Sequence, residues 1–145
     1  MKPASSRGKS LVTEHVYAQP PDAVETGARV KAGLPVKEFD ALRDVLGLTI
    51  ESLAKKLGIS AATLSRRRRS GEALDAPHGD RVVRFARLFR LALDLYDGDT
   101  VAARSWLMKP ARALDGQAPL DLAETESGAR EVENLIGRLE HGVYT

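Results

Sequence analysis

Residues 49–69, TIESLAKKLGISAATLSRRRR, constrain the fold more than any other part of the 145-residue chain. Their apolar side chains have the i, i+3, i+4, i+7 spacing of one helix face: Ile50, Leu53, Ala54 and Leu57. Gly58 can adopt the left-handed conformation that ends a helix. Ser60 can then cap a second helix, which Leu64 would anchor in the core. Two short helices joined by a tight turn that contains glycine predict a helix-turn-helix.

The second helix of this hairpin carries small, hydroxylated and cationic side chains, which suit a DNA major groove. Because four consecutive arginines span a whole turn at roughly 100° per residue, at most two of them can enter one groove. The alternative is a solvated helix face that binds nothing. Near base edges we expect Thr63, Ser65 and Arg66, and at phosphates Lys55, Arg67 and Arg68. Ser60, the cap of the second helix, completes the set of expected DNA-binding residues.

Composition favours a helical protein without disulfides, thiolate chemistry or a membrane helix. Hydrophobic residues make up 43% of the chain, aromatic residues only 5%, and cysteine is absent. No apolar run approaches the roughly 20 residues that a membrane helix needs, and no secretory signal is visible, so we expect a cytoplasmic protein. Residues 37–90 hold 12 Lys and Arg against 7 Asp and Glu, whereas residues 110–145 hold 3 against 7. A basic half suits nucleic acid, and an acidic half suits a protein partner.

Helical periodicity continues on both sides of the hairpin. We predict further helices over residues 22–31, 36–46, 80–96, 100–108 and 127–140. The polar residues 1–21 predict a flexible arm, the Gly- and Pro-containing residues 70–79 a loop, and residues 112–122 an irregular segment anchored by leucines. In the longest run, four arginines form a stripe that fits either DNA phosphate or solubility: Arg81, Arg84, Arg87 and Arg90. The opposite apolar band is wide enough to contact two layers, one of which could be another subunit.

The C-terminal half carries a family resemblance. The relevant stretches are TLSRRRR (63–69), DRVVRFARLF (80–89) and ARSWLMKPARALDGQAPLDLAETESGAREVENLIGRLEHGVY (103–144). In these stretches the chain resembles antitoxins of the Xre/MbcA/ParS type, the partners of RES-domain toxins, over roughly residues 25–144. The resemblance implies an all-α protein with a flexible arm (1–21), a helix-turn-helix DNA-binding domain (22–76) and a small helical domain for toxin binding and dimerisation (77–145).

The same resemblance implies a function. Such antitoxins form homodimers, neutralise a cognate RES toxin that depletes NAD, and repress their own operon by binding operator DNA. An acidic C-terminus has the charge to occupy, and so to block, a cationic pocket that holds a pyrophosphate. The residues that we expect to bind the toxin are Arg138, Glu140, His141, Gly142, Val143 and Tyr144. A frayed helix end is the alternative for Gly142, Val143 and Tyr144.

Other classes of function have less support in the sequence. The three histidines are scattered, at His15, His78 and His141, and no catalytic or metal-binding constellation is visible, so we expect no enzyme activity, metal or cofactor. A stand-alone helix-turn-helix repressor would leave the long C-terminal pattern unused. An antitoxin that does not bind DNA would leave the arginine cluster without a role.

Overall fold

The computed structural model describes residues 9–142, and within them it confirms the all-α prediction. Their only β-type pairing is an isolated bridge between Ala111 and Gln117, next to a short 3-10 helix at Arg112–Leu114. The α-helices, in chain order, are α1 (Leu11–Tyr17), α2 (Ala23–Ala32), α3 (Val36–Leu46), α4 (Ile50–Leu57), α5 (Ala61–Ser70), α6 (Ala76–Leu95), α7 (Thr100–Met108), α8 (Pro119–Leu122) and α9 (Glu126–Glu140). None of these described helices is long and apolar enough to cross a membrane.

The chain divides into two compact units. The first ends at Val83 and the second begins at Arg84, so the division lies inside α6. In the first unit the core of the hairpin and the preceding helix is fully apolar, and its members are Phe39, Leu42, Leu46, Leu53, Leu57 and Leu64. In the second unit the buried residues beyond α6 include Ala103, Leu107, Leu114, Leu120, Ala123, Ala129, Val132, Leu135 and Ile136.

The predicted helix-turn-helix is formed by α4 and α5. Thr49 caps α4, because its side chain accepts a hydrogen bond from the Ser52 amide at 3.0 Å. Gly58 ends α4 with φ of 76°, in the left-handed region that glycine adopts at low cost. Ser60 caps α5 through the Thr63 amide, also at 3.0 Å. The hairpin is therefore specified locally, by caps at three of its helix ends, as well as by its buried leucines.

The N-terminal segment differs from the predicted flexible arm, because residues 11–17 form α1. Leu11 and Val12 are fully buried, and the carboxylate of Glu38 on α3 accepts hydrogen bonds from both of their amides, at 2.6 and 3.2 Å. The Ser10 hydroxyl donates to the same carboxylate at 2.7 Å. A negative charge at a helix N-terminus satisfies amides that have no partner within the helix. This helix is not apparent from the local sequence because its anchor, Glu38, is distant in the chain.

Replacing Glu38 with glutamine is expected to lower the free energy of unfolding by about 1–3 kcal/mol, since a single amide oxygen would have to replace two carboxylate oxygens that accept from two buried amides and the Ser10 hydroxyl. Urea unfolding measures this, and limited proteolysis should show earlier cleavage within residues 9–17. Glu131→Gln, at an exposed position of α9, is the matched control and should change the stability by less than about 0.5 kcal/mol. Equal stability of the two variants would refute this role for Glu38.

The long helix α6 begins earlier than the sequence predicted. Residues 76–79 were expected to belong to a loop, but the Gly79 amide donates to the Asp75 carbonyl at 2.9 Å and continues the helix. Pro77 lies in the first turn, where no amide donor is required. Gly79 is buried, and a Cβ atom there would lie 3.4 Å from the Leu34 side chain. Glycine at this position therefore allows close packing rather than ending a helix.

Candidate functional site

Helix α5 presents a polar surface to solvent. Leu64 is its one buried residue, and Ala62, Ser65 and Arg66 are exposed. At 100° per residue, Arg66 and Arg69 lie roughly 160° and 140° from Leu64, on the side away from the core. Small, hydroxylated and cationic side chains of α5 are therefore exposed to solvent, and whether they bind a partner stays a prediction.

The four arginines of α5 have different surroundings. Arg66 is exposed and forms no hydrogen bond or ion pair with any residue from 9 to 142. Arg67 lies only roughly 60° from Leu64, and its side chain is 17% exposed. It donates to the carbonyl oxygen of Ala73 and, at 2.9 Å, to the carboxylate of Asp75. Arg67 therefore stabilises the conformation of the loop that follows α5.

Arg68 forms a two-point ion pair with Asp40 of α3. Its Nη1 and Nη2 atoms donate to the two carboxylate oxygens at 2.9 and 3.0 Å. The hydrogen bond to Asp40 raises the pKa of the Arg68 guanidinium. Two of the residues expected at phosphates, Arg67 and Arg68, are thus already engaged within the chain.

The remaining predicted residues of this region lie near α5. Lys55 is exposed in the last turn of α4. The Ser60 hydroxyl, besides capping α5, donates to the Thr63 hydroxyl at 2.9 Å. Ser65 is exposed and accepts a hydrogen bond from Arg69 at 2.9 Å. Arg69 was not among the DNA-binding residues expected from the sequence, although the helical period measured from Leu64 would have placed it beside Arg66.

The arginine stripe of α6 is occupied by contacts within the chain. In the first unit, Arg81 donates to the Leu57 carbonyl at 2.9 Å and so satisfies the end of α4. In the second unit, Arg84 is buried and pairs with Glu126 at 3.1 Å. Arg87 pairs with Glu133 at 2.6 Å. Three arginines of the stripe therefore link α6 to α4 or α9, a third possibility beside the phosphate contacts and solubility that the sequence left open, while Arg90 pairs with Asp94 on α6 itself.

The C-terminal surface is formed by the end of α9. Arg138 is half-buried, and its Nε atom has no hydrogen-bond partner among the described residues. Glu140 is exposed, and the His141 Nδ1 atom lies 2.7 Å from the Gly137 carbonyl oxygen. Gly142 is exposed with φ of 73°. Val143 and Tyr144, which we also expect to bind the toxin, lie outside the described residues.

The second unit also has an open cavity of about 400 Å³ near the single tryptophan. Its lining residues are Tyr96, Ala102, Ser105, Trp106, Lys109, Pro110 and Ala111. The wall is mostly apolar, and Trp106 is only half-buried. Across residues 9–142, no group of three or more His, Asp or Glu side chains could hold a metal ion.

Two family profiles match the chain. The profile described as the antitoxin Xre-like helix-turn-helix domain matches residues 25–87. The profile described as the antitoxin Xre/MbcA/ParS C-terminal toxin-binding domain matches residues 91–142.

Similar proteins carry related names. The chain is 35% identical to Antitoxin Xre of Yersinia enterocolitica serotype O:8 / biotype 1B over 80% of this chain and 78% of that protein. It is also 35% identical to Antitoxin Xre of Photorhabdus laumondii subsp. laumondii over 81% of this chain and 80% of that protein. A Sphingobium protein named Prs ADP-ribosylating antitoxin is 23% identical over 79% and 77% of the two chains.

Proposed function

The chain belongs to the Xre/MbcA/ParS antitoxin family, and from that premise we propose that it inhibits a cognate RES-domain toxin that degrades NAD and represses its own operon. The family assignment makes it an antitoxin of a toxin–antitoxin system with a helix-turn-helix domain. The toxin's class, its reaction and the autorepression belong to the proposal. In this role the protein acts in the cytoplasm, without a cofactor or a metal.

The proposal for DNA binding depends on the exposed surface of α5. Arg66 has no partner among residues 9–142 and faces away from Leu64, so its guanidinium can reach a guanine edge without losing an existing contact. Thr63, Ser65 and Arg69 flank it on α5, and Lys55 on α4 is available to a phosphate. Ser60 and Arg67 contribute by shaping α5 and the loop that follows it.

Operator recognition by a homodimer requires two copies of α5 separated by one turn of DNA. That separation is roughly 34 Å, which predicts an operator made of two inverted half-sites. The wide apolar band of α6 supports such a dimer, because Leu91 and Leu95, which share one face of the helix, are each only half-buried within one copy.

Toxin binding is assigned to the C-terminal region, with the residues after α9 blocking the active site. Glu140 and His141 are exposed at the end of the helix, and the region from residue 110 onward carries a net negative charge. An enzyme that uses NAD has to hold a pyrophosphate, so an acidic segment can compete for the same cationic pocket. The name of the Sphingobium relative supports a link to NAD, since ADP-ribosylation takes its ADP-ribose from NAD.

Replacing Arg66 with alanine is expected to weaken operator binding by about 1–3 kcal/mol, the range for one two-point contact between arginine and guanine. Gel-shift titration on the gene's own promoter measures the loss. Binding to random DNA should change much less, because a base contact contributes only at the operator. An equal loss on both DNAs would show that Arg66 contacts only the backbone.

Co-expression with the neighbouring gene tests the function as a whole. The expected result is rescue of growth from the neighbouring gene product, together with a purified complex whose mass contains both proteins. NAD measured in the same cells should fall when the neighbouring gene is expressed alone and recover on co-expression. A chain that shifts its promoter but rescues nothing would instead be a stand-alone repressor, and one that rescues without a shift would be an antitoxin that does not bind DNA.

A further inference from the structure

We propose that Asp40 neutralises Arg68 on the DNA-binding unit and thereby limits binding to DNA of arbitrary sequence. This inference rests on the proposed DNA-binding function and adds a residue that acts against it. Asp40 lies outside the helix-turn-helix, on α3, and the sequence pattern of the hairpin gives no sign of it. Its partner Arg68 was expected at a phosphate.

The ion pair with Asp40 occupies the terminal nitrogens of the Arg68 guanidinium. Both terminal nitrogens of Arg68 donate to Asp40, one to each carboxylate oxygen, at 2.9 and 3.0 Å. This is the two-point arrangement that arginine also uses for a phosphate, so the two anions compete for the same donors. The side chains are 44% and 40% exposed, so the pair lies at the surface, where DNA can approach it.

The position of Arg68 on α5 argues against a role in the groove. Arg68 lies roughly 40° from the buried Leu64 around the helix, whereas Arg66 lies roughly 160° away. Arg68 therefore belongs to the flank of α5 that faces α3, and its anionic partner there is Asp40. A side chain on this flank is placed to meet the sugar-phosphate backbone beside the groove rather than the bases.

The zero net charge of the Arg68–Asp40 pair determines its effect on DNA binding. A cation that contacts a phosphate releases condensed counterions, which contributes about 0.9 to the slope of log affinity against log salt. Arg68 paired with Asp40 presents no net charge, so it contributes little to that slope. A phosphate that approaches Arg68 also approaches the Asp40 carboxylate, and the repulsion offsets the attraction.

The first experiment is Asp40→Asn, which retains the shape and one acceptor oxygen but removes the charge. We expect affinity for random DNA to rise roughly threefold to tenfold at low salt, with a salt slope steeper by about 0.9, because one more cation becomes available. Fluorescence anisotropy with a labelled random duplex measures both the affinity and its salt dependence. The titrations run from about 50 to 200 mM salt, a range in which the loss of one phosphate contact is distinguishable.

Asp94→Asn is the matched control. Asp94 forms a similarly exposed ion pair with Arg90, at 3.1 Å, but both residues belong to the second unit, whereas Asp40 and Arg68 belong to the unit that carries the helix-turn-helix. The substitution changes the net charge of the protein by the same amount. An equal gain for the two variants would mean that overall charge, and not the Asp40 pair, determines the effect, and would overturn the inference.

Two further variants distinguish whether Asp40 neutralises Arg68 or orients it toward a phosphate. If Asp40 neutralises Arg68, Arg68→Gln should weaken binding to random DNA by a factor similar to the gain of Asp40→Asn, because it exposes the carboxylate. The double variant should then return to the affinity and slope of the unsubstituted chain. If Asp40 instead orients Arg68 toward a phosphate, Asp40→Asn should not strengthen binding, and the double variant should bind as weakly as Arg68→Gln. That second outcome would contradict the proposal.

The controls also separate this inference from the proposed function. If the unsubstituted chain does not bind its promoter, the DNA-binding function itself fails. If it binds the promoter and responds to Arg66→Ala, but Asp40→Asn has no effect, only the role of Asp40 fails.

Discussion

Replacing Gly128 with alanine is expected to disrupt the second unit and to release the toxin from inhibition. A Cβ atom at Gly128 would lie 1.8 Å from the carbonyl oxygen of Leu122 and 2.7 Å from its carbonyl carbon. These are backbone atoms, so no side-chain rotation relieves the overlap. Either α9 or the segment before it has to move, and Ala129 and Val132 on the buried face of α9 would move as well.

The expected cost of Gly128→Ala is about 3 kcal/mol or more, at the upper end of what overpacking causes. Most glycines inside helices show the opposite behaviour, because alanine loses less conformational entropy on folding. A loss of this size is a large share of the stability of a domain, which is typically about 5–15 kcal/mol. Thermal or urea unfolding of the purified antitoxin measures it, and growth on co-expression with the toxin measures the functional consequence.

Gly137→Ala is the matched control within the same helix. A Cβ atom there meets nothing within 4 Å, so the unfolding midpoint should rise, by an amount equivalent to roughly 0.5–1 kcal/mol. Gly27→Ala, in α2, meets equally open space and should retain neutralisation. If Gly128→Ala is as stable as Gly137→Ala, the close approach of α9 to Leu122 is not required for folding.

Deleting residues 142–145 is expected to release toxin activity while leaving the fold and the proposed dimer intact. The buried face of α9 ends with Leu135 and Ile136. The helix itself ends at Glu140, where the amide of His141 donates to the Gly137 carbonyl at 3.2 Å. The deletion therefore removes no buried side chain among the described residues.

Growth rescue and NAD content measure the effect of this deletion in cells, and mass measurement of the truncated protein tests the dimer. A second variant keeps the full length but replaces residues 142–145 with Gly-Ser-Gly-Ser. It shows whether inhibition requires the side chains of these residues or only a chain of that length. Both variants should fail to protect cells. Full protection by either one would mean that the face of α9, and not the residues after it, inhibits the toxin.

The helix-turn-helix was predictable because its determinants are local. Thr49, Gly58 and Ser60 specify the helix ends within a few residues of the apolar positions, and the structure has all three in those roles. The start of α6 was misplaced for the opposite reason. Pro77 and Gly79 indicate a loop when they are considered locally, but the contact of Gly79 with Leu34 determines its role.

The surroundings of the arginines were predictable only in part. Counting around the helix from Leu64 separates Arg66 and Arg69 from the other two arginines, and the sequence alone permits that count. The partners of Arg67 and Arg68, namely Ala73, Asp75 and Asp40, depend on packing between segments. The partners of Arg84 and Arg87 on α6 were equally unpredictable, since Glu126 and Glu133 are distant from them in sequence.

The anchoring of α1 by Glu38 has a practical consequence for anyone who labels this protein. A fluorophore or purification tag attached at residues 10–12 would disturb the hydrogen bonds that Ser10, Leu11 and Val12 donate to that carboxylate. The turn after α6 is also unsuitable, because Asp97 and Gly98 have φ of 53° and 88° and Asp99 caps α7. Val101, in the first turn of α7, is 74% exposed and is not among the side chains assigned above to DNA or toxin. A cysteine at Val101 is therefore a better site for a reporter than either of these segments.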